Sequence, residues 1–152
     1  MLKIGETAPA FTGQATDGRT IRTDELKGRW LVVYFYPKAF TPGCTTETRL
    51  FRDNYPELKA LGAEVIGVSV DDLQTQCKFA DDNRVTFPLV ADPDKRISRS
   101  FGVLWPIISI DKRITFVIDP AGIVRGVFRH EVQISKHLDD VLAFLKKQTR
   151  AA

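Results

Sequence analysis

The strongest constraint on the fold is the run WLVVYFYP, residues 30–37, β-branched and aromatic and almost continuously apolar. A strand with one solvated face alternates apolar and polar residues, whereas a strand covered on both faces does not. EVIGVSV (residues 64–70) and ITFVID (residues 114–119) are two further runs of this kind. IVRGVFR (residues 123–129) follows the last of them across Asp119-Pro120-Ala121-Gly122. There the proline pre-sets one turn position and the glycine accepts positive φ, so an antiparallel hairpin is expected. Helical stretches fall between and after the strands, over residues 42–61, 71–83, 93–101 and 135–148. Gly62 closes the first; Asp71 or Asp72 caps the second, and Asp92 with Pro93 at the first helical position starts the third. In the last, Leu138, Val141, Leu142 and Leu145 recur at helical spacing. Strands alternating with helices, finished by a hairpin and a helix, predict an α/β fold with a mixed central β-sheet flanked by α-helices. The 152 residues suit one domain, 1–152, around one core, and contain no repeat, low-complexity tract or linker.

Charge and cysteine usage narrow the function. The net charge of +3 comes from 22 basic and 19 acidic residues spread along the chain, with no basic block to hold nucleic acid. No stretch approaches the ~18 apolar residues of a membrane span, and MLKIGETAPAF lacks the apolar segment of a signal peptide. A cytoplasmic protein without a membrane or nucleic-acid partner is therefore expected. Two cysteines, Cys44 and Cys77, do not make a disulfide scaffold in a reducing compartment.

Cys44 lies in TPGCTTET, residues 41–48, directly after the first strand run. Thr41 reads as a helix N-cap and Pro42 as the first helical residue, which puts Cys44 at the third position. A glutamate or glutamine commonly occupies that slot, because the helix start offers unpaired N–H groups and partial positive charge. A thiol there is favoured as thiolate, the nucleophilic form. Two readings stay open at this level: a reactive thiolate, or a small buried hydrophobe that happens to begin a helix.

Several cysteine chemistries are missing their parts. A phosphatase loop needs an arginine six residues after the cysteine, where Leu50 stands and Arg49 is one short. A cysteine protease needs a nearby histidine, and His130 and His137 both read as solvated surface residues. Position 47 is Glu, so there is no C-x-x-C dithiol. Cys44, Cys77, His130 and His137 are too scattered for zinc, and no glycine-rich phosphate loop occurs. No metal or cofactor is expected.

Pro37-Lys38-Ala39-Phe40-Thr41-Pro42-Gly43-Cys44 resembles the P-x-x-x-T-x-x-C signature of peroxiredoxins, and FYPKAFTPGCTTE is most similar to their bacterioferritin-comigratory-protein/PrxQ subfamily. The likeness runs along nearly the entire chain, through IGETAPAF, VIGVSVDD, TFPLVADPD, FGV and RITFVIDPAGIV. It implies a thioredoxin-like fold and the reduction of hydrogen peroxide or organic hydroperoxides. By the same resemblance Cys44 is the peroxidatic cysteine that becomes a sulfenic acid. Thr41 bonds the substrate oxygen and the thiolate, Pro37 shields the pocket, and Arg113 supports the thiolate and the leaving oxygen. Glu47 resembles the residue that orients this arginine. The plain alternatives are a helix cap for Thr41, a strand-end cation for Arg113 and a first-turn helix residue for Glu47. Phe40, Trp105 and Pro106 are expected to shape the pocket.

Many subfamily members carry a resolving cysteine five residues after the peroxidatic one; here that position is Arg49. Others place it in the second helix, at a position matching Ala80, one turn beyond Cys77. The resemblance thus implies an intramolecular Cys44–Cys77 disulfide, with a one-cysteine cycle as its rival. The reductant expected is thioredoxin or a glutathione/glutaredoxin system, and the form a monomer or weak homodimer. A third reading, from another class, is a non-catalytic thioredoxin-fold redox sensor or binding module; Pro37, Thr41, Cys44 and Arg113, all present, argue against it.

Overall fold

The computed structural model describes residues 1–151, and side chains as far as Gln148. In chain order the elements are β1 (Thr12–Gln14), β2 (Thr20–Arg22), β3 (Trp30–Phe35), α1 (Pro42–Ala60), β4 (Ala63–Ser69) and α2 (Leu73–Asp82). There follow β5 (Leu89–Ala91), α3 (Arg96–Phe101), β6 (Ile114–Ile118), β7 (Val124–Arg129) and α4 (Ser135–Ala151). β1 and β2 form a small antiparallel pair, and the others one mixed sheet in the order β5-β4-β3-β6-β7. β3 lies at its centre, parallel to β4 and antiparallel to β6, with Val33 opposite Ile66 on one side and Phe116 on the other.

The unbroken apolarity of β3 has the cause expected of it. Leu31, Val33 and Phe35 face one side, packed with Phe11, Ile66, Ile97, Phe101 and Phe116. Val32 and Tyr34, followed by Tyr36, face the other, packed with Phe51 and Leu58 of α1, Phe79 of α2 and Val141 and Leu145 of α4. The β6–β7 hairpin also follows the sequence: Asp119 Oδ1 accepts the amides of Ala121 and Ile123, and Gly122 takes φ 88°. Asp72, of the two candidates, caps α2 by accepting the Thr75 amide at 2.8 Å.

The third helix departs from its expected start. α3 begins at Arg96, with Lys95 left-handed before it, so Asp92-Pro93 is not its first turn. Asp92 nevertheless serves that terminus from outside, its carboxylate accepting the amides of Ile97 and Ser98 and the Ser98 hydroxyl. β1, β2 and β5 carry three residues each, too few to show a period in the sequence. Among the described residues no helix is long and apolar enough to cross a membrane.

Candidate active site

The chain leaves the centre of the sheet through Tyr36, half-buried Pro37 and a tight turn that ends at α1. Asp71, just beyond β4, holds this turn by accepting the Ala39 amide at 2.8 Å and the Ser69 hydroxyl at 2.7 Å. Phe40 takes φ 68°, a conformation that costs an aromatic residue energy and persists only where the surroundings enforce it. Its ring packs edge-on against Phe79 at 5.3 Å and stays about half exposed.

Thr41 has the extended backbone of an N-cap, φ −78° and ψ 150°, but its side chain does not cap. The hydroxyl instead donates to the Lys38 carbonyl at 2.8 Å. This corrects the cap expected from sequence. No side chain caps α1, Pro42 has no N–H, and the amides of Gly43 and Cys44 lie in the first turn, where a helix offers them no acceptor of its own. Cys44 is the third helical residue, wholly buried among Tyr34, Tyr36, Ala39, Phe51 and Phe79.

Arg113 arrives from the neighbouring strand. It immediately precedes Ile114, which pairs with Phe35 at the end of β3, and it is buried. Its NH1 donates to Glu47 Oε1 at 2.9 Å, and Cys44 acts electrostatically on the same guanidinium. Burial works against its charge, but Glu47 and Cys44 outweigh this and hold its pKa above the ordinary arginine value. A methyl on Gly43 would stand 3.0 Å from Arg113 NH2, so the missing side chain gives the guanidinium room beside the helix start. Glu47, one turn past Cys44, is buried, and burial pushes its carboxyl up to about 8 against the pull of Arg113.

His137 overturns an expectation. It is not a solvated residue of α4 but wholly buried, with Nδ1 2.8 Å from Thr115 Oγ1 and Nε2 2.8 Å from the His130 carbonyl oxygen. Nδ1 also lies 3.7 Å from Glu47 Oε2, an oxygen with no hydrogen-bond partner. Burial holds the ring down to about 4, so it is neutral at pH 7. His130 is partly buried and bonded to Asp140 at 2.6 Å. The helical spacing that marked Leu138, Val141 and Leu145 as inward-facing also turns residue 137 inward, one position before Leu138; that was the available signal.

Cys77 stands elsewhere. Both cysteines are free thiols, and Cys77 is half-buried on α2. Ala80, not Cys77, belongs to the apolar cluster that holds Cys44. Arg49 reaches across to α2, its Nε donating to Asn83 Oδ1 at 2.8 Å, while Arg52 donates to the Asn83 carbonyl. Trp105 and Pro106 lie in a loop whose Ile107 and Ile108 are exposed, with Lys112 and Arg129 over the Trp105 ring. Among the described residues no group of His, Cys, Asp and Glu side chains could hold a metal ion.

Residues 4–127 match the model of the AhpC/TSA family. The chain belongs to the AhpC/TSA family. It is 38% identical over 143 residues to "Peroxiredoxin Q, chloroplastic" of Populus jackii, covering 93% of this chain and 67% of that one, so it spans about two thirds of the plant protein. It is also 38% identical to "Peroxiredoxin Bcp" of Escherichia coli (strain K12), over 96% of this chain and 97% of the relative. The solved structure of peroxidoxin BcpB from Mycobacterium tuberculosis superposes with a TM-score of 0.90 at 34% identity, covering 97% of this chain and 98% of that one. The chain is thus a thiol-dependent peroxidase of the Bcp/PrxQ kind with a thioredoxin-like fold, as its resemblance implied.

Proposed function

We propose that Cys44 is the peroxidatic cysteine and that this site reduces hydrogen peroxide and organic hydroperoxides. The observation that carries the reading is the buried Arg113 guanidinium, held by Glu47 and acting electrostatically on Cys44 at the uncapped start of α1. The thiolate sulfur attacks one peroxide oxygen; an S–O bond forms, the O–O bond breaks, and the leaving oxygen takes up a proton as water or alcohol. Cys44 becomes a sulfenic acid. Arg113 and the first-turn amides of α1 stabilise the negative charge as it moves from sulfur to the leaving oxygen. The Thr41 hydroxyl turns to the substrate oxygen and the thiolate, and Pro37 walls the pocket. Peroxide consumption driven by dithiothreitol, wild type against Cys44→Ser, tests this. The expected loss is essentially complete, and equal rates overturn the assignment.

Cys77 then attacks the sulfenic acid, releasing water and closing an intramolecular disulfide that thioredoxin reopens. This step needs α1 to unwind at its start, because Cys44 is enclosed and the two Cα atoms must come within ~7 Å. The one-cysteine course, with direct reduction by an external thiol such as glutathione/glutaredoxin, is favoured by one observation: Ala80, and not Cys77, packs in the Cys44 cluster. Non-reducing mass spectrometry after one equivalent of peroxide separates the two, through either a Cys44–Cys77 peptide or a persistent Cys44 sulfenic acid. We place the enzyme in the cytoplasm, where two free thiols stay reduced. It works as a single domain, 1–152, and as a monomer or weak homodimer.

A further inference from the structure

The His137 ring offers more than packing. A carbonyl oxygen only accepts, so the 2.8 Å contact with the His130 carbonyl fixes the proton of the neutral ring on Nε2. Nδ1 then carries the ring's one lone pair, for which the Thr115 hydroxyl, 2.8 Å away, and a protonated Glu47 compete. Glu47 Oε2 lies 3.7 Å from Nδ1, about 0.5 Å beyond ordinary hydrogen-bond range. Oε2 is buried without a partner, whereas Oε1 is taken by Arg113. Two acceptors buried face to face are unfavourable unless one proton lies between them.

We propose that His137 is a positioning residue for the peroxide-reducing step: Glu47 Oε2 and His137 Nδ1 share one exchangeable proton behind Arg113, and its presence keeps the guanidinium's charge directed at Cys44. With the proton in place the pair is neutral and Cys44 is the one anion facing Arg113. When the proton leaves, Glu47 becomes a second anion on the same guanidinium and draws its charge away from the sulfur and the leaving oxygen. The charged and titratable groups around the pair are Tyr34 on β3, Cys44 on α1, Arg113 ahead of β6, His130 and Glu131 after β7, and Asp140 on α4. Burial sets the direction, holding Glu47 up to about 8 and His137 down to about 4, so the proton resides on the carboxyl and is lost on the alkaline side.

The proposal rests on the Cys44–Arg113 reading for its kinetic consequence and on the buried Glu47–His137 contact for the shared proton, so each can fail separately. The chain has two histidines, and 15N-histidine labelling with a His130→Gln variant assigns His137 without ambiguity. The His137 Nδ1 resonance is expected to step once near pH 8, and the step is expected to vanish in Glu47→Gln. A flat wild-type resonance, or a step that survives in Glu47→Gln, overturns the shared proton. In the peroxide reaction the second-order rate constant of the wild type is expected to fall about tenfold from pH 7 to pH 9.5. His137→Asn, whose amide donates to Glu47 without a mobile proton, should be about tenfold slower at pH 7 and equal to wild type at pH 9.5. A ratio of wild type to variant that does not change with pH overturns the positioning role, because a loss of packing alone would slow both pH values alike. Should His137→Asn not fold, the resonance test on wild type and Glu47→Gln still decides.

Discussion

The two faces of the central sheet are built from alternate residues of the same strand, yet they differ in kind. Behind Leu31, Val33 and Phe35 lies an aliphatic and aromatic layer in which Phe35, Phe101 and Phe116 meet ring to ring. Behind Val32, Tyr34 and Tyr36 the layer is threaded with polar atoms: the Tyr34 hydroxyl on Thr48, the Tyr36 hydroxyl on Gln76, and Thr115 on His137. Cys44 and the Glu47–Arg113 pair sit at the end of this second layer. Burial of apolar area stabilises the first face without direction, whereas the second must satisfy hydrogen bonds one by one. One strand thus separates the work of holding the fold from the work of enclosing the sulfur proposed to react.

That division can be broken experimentally. Arg113→Met should lower the second-order rate constant with peroxide by about 10²–10³-fold while the protein stays folded, because the carboxyl it leaves behind is already held toward its neutral form. Stopped-flow peroxide consumption measures it, and a loss below tenfold would mean that charge stabilisation comes from elsewhere. Phe116→Ala, on the opposite face, should cost about 3–5 kcal/mol in denaturant unfolding and change the rate constant of the folded protein by less than about twofold. A large kinetic effect there would join the two faces.

Two buried carboxyls sharpen the contrast. Asp111, like Glu47, is pushed up to about 8 by burial, but both its oxygens lack partners, and the nearby charges are Asp92 and Asp71 rather than an arginine. A folded-state pKa raised above the unfolded one gives stability that is fully present below the ordinary carboxylate range and lost as pH rises through about 8. Thermal unfolding of the wild type should therefore weaken between pH 6 and pH 8, by at most about 1.4 kcal/mol per pH unit from this group. Asp111→Asn should flatten that slope, and equal slopes would mean Asp111 is not the titrating group. The smallest effect belongs to Tyr34→Phe, which removes the bond to Thr48 at a cost of about 0.5–1.5 kcal/mol, read from the urea midpoint.

β3, β4, β6 and β7, the turn between the last two and the start of α1 were legible because each writes a local signal, unbroken apolarity, Asp-Pro-Ala-Gly or Thr-Pro-Gly, whereas the three-residue β1, β2 and β5 write none. The partnership of Cys44 with Arg113 and Glu47 was legible only through family resemblance, since nothing local links positions 69 residues apart. What escaped was relational. Asp92 has the residue type of a cap, but it serves α3 from four residues upstream, across a left-handed Lys95. Thr41 likewise has the type and backbone of a cap and spends its hydroxyl on Lys38. His137 lies among polar neighbours that suggest solvent, and only the approach of α4 to β6 and α1 encloses it.

Gly43 adds a consequence of another sort. Glycine inside a helix is less favourable than alanine by about 0.5–1 kcal/mol, so the chain begins α1 with a residue that weakens it. Alanine would mend the helix and force the Arg113 guanidinium aside by a few tenths of an ångström. Stability and reactivity therefore pull one residue in opposite directions. A search for thermostable variants should find Gly43→Ala attractive, and the protein it selects would be sturdier and slower. The single hydrogen at this position marks where the demands of folding yield to those of the sulfur.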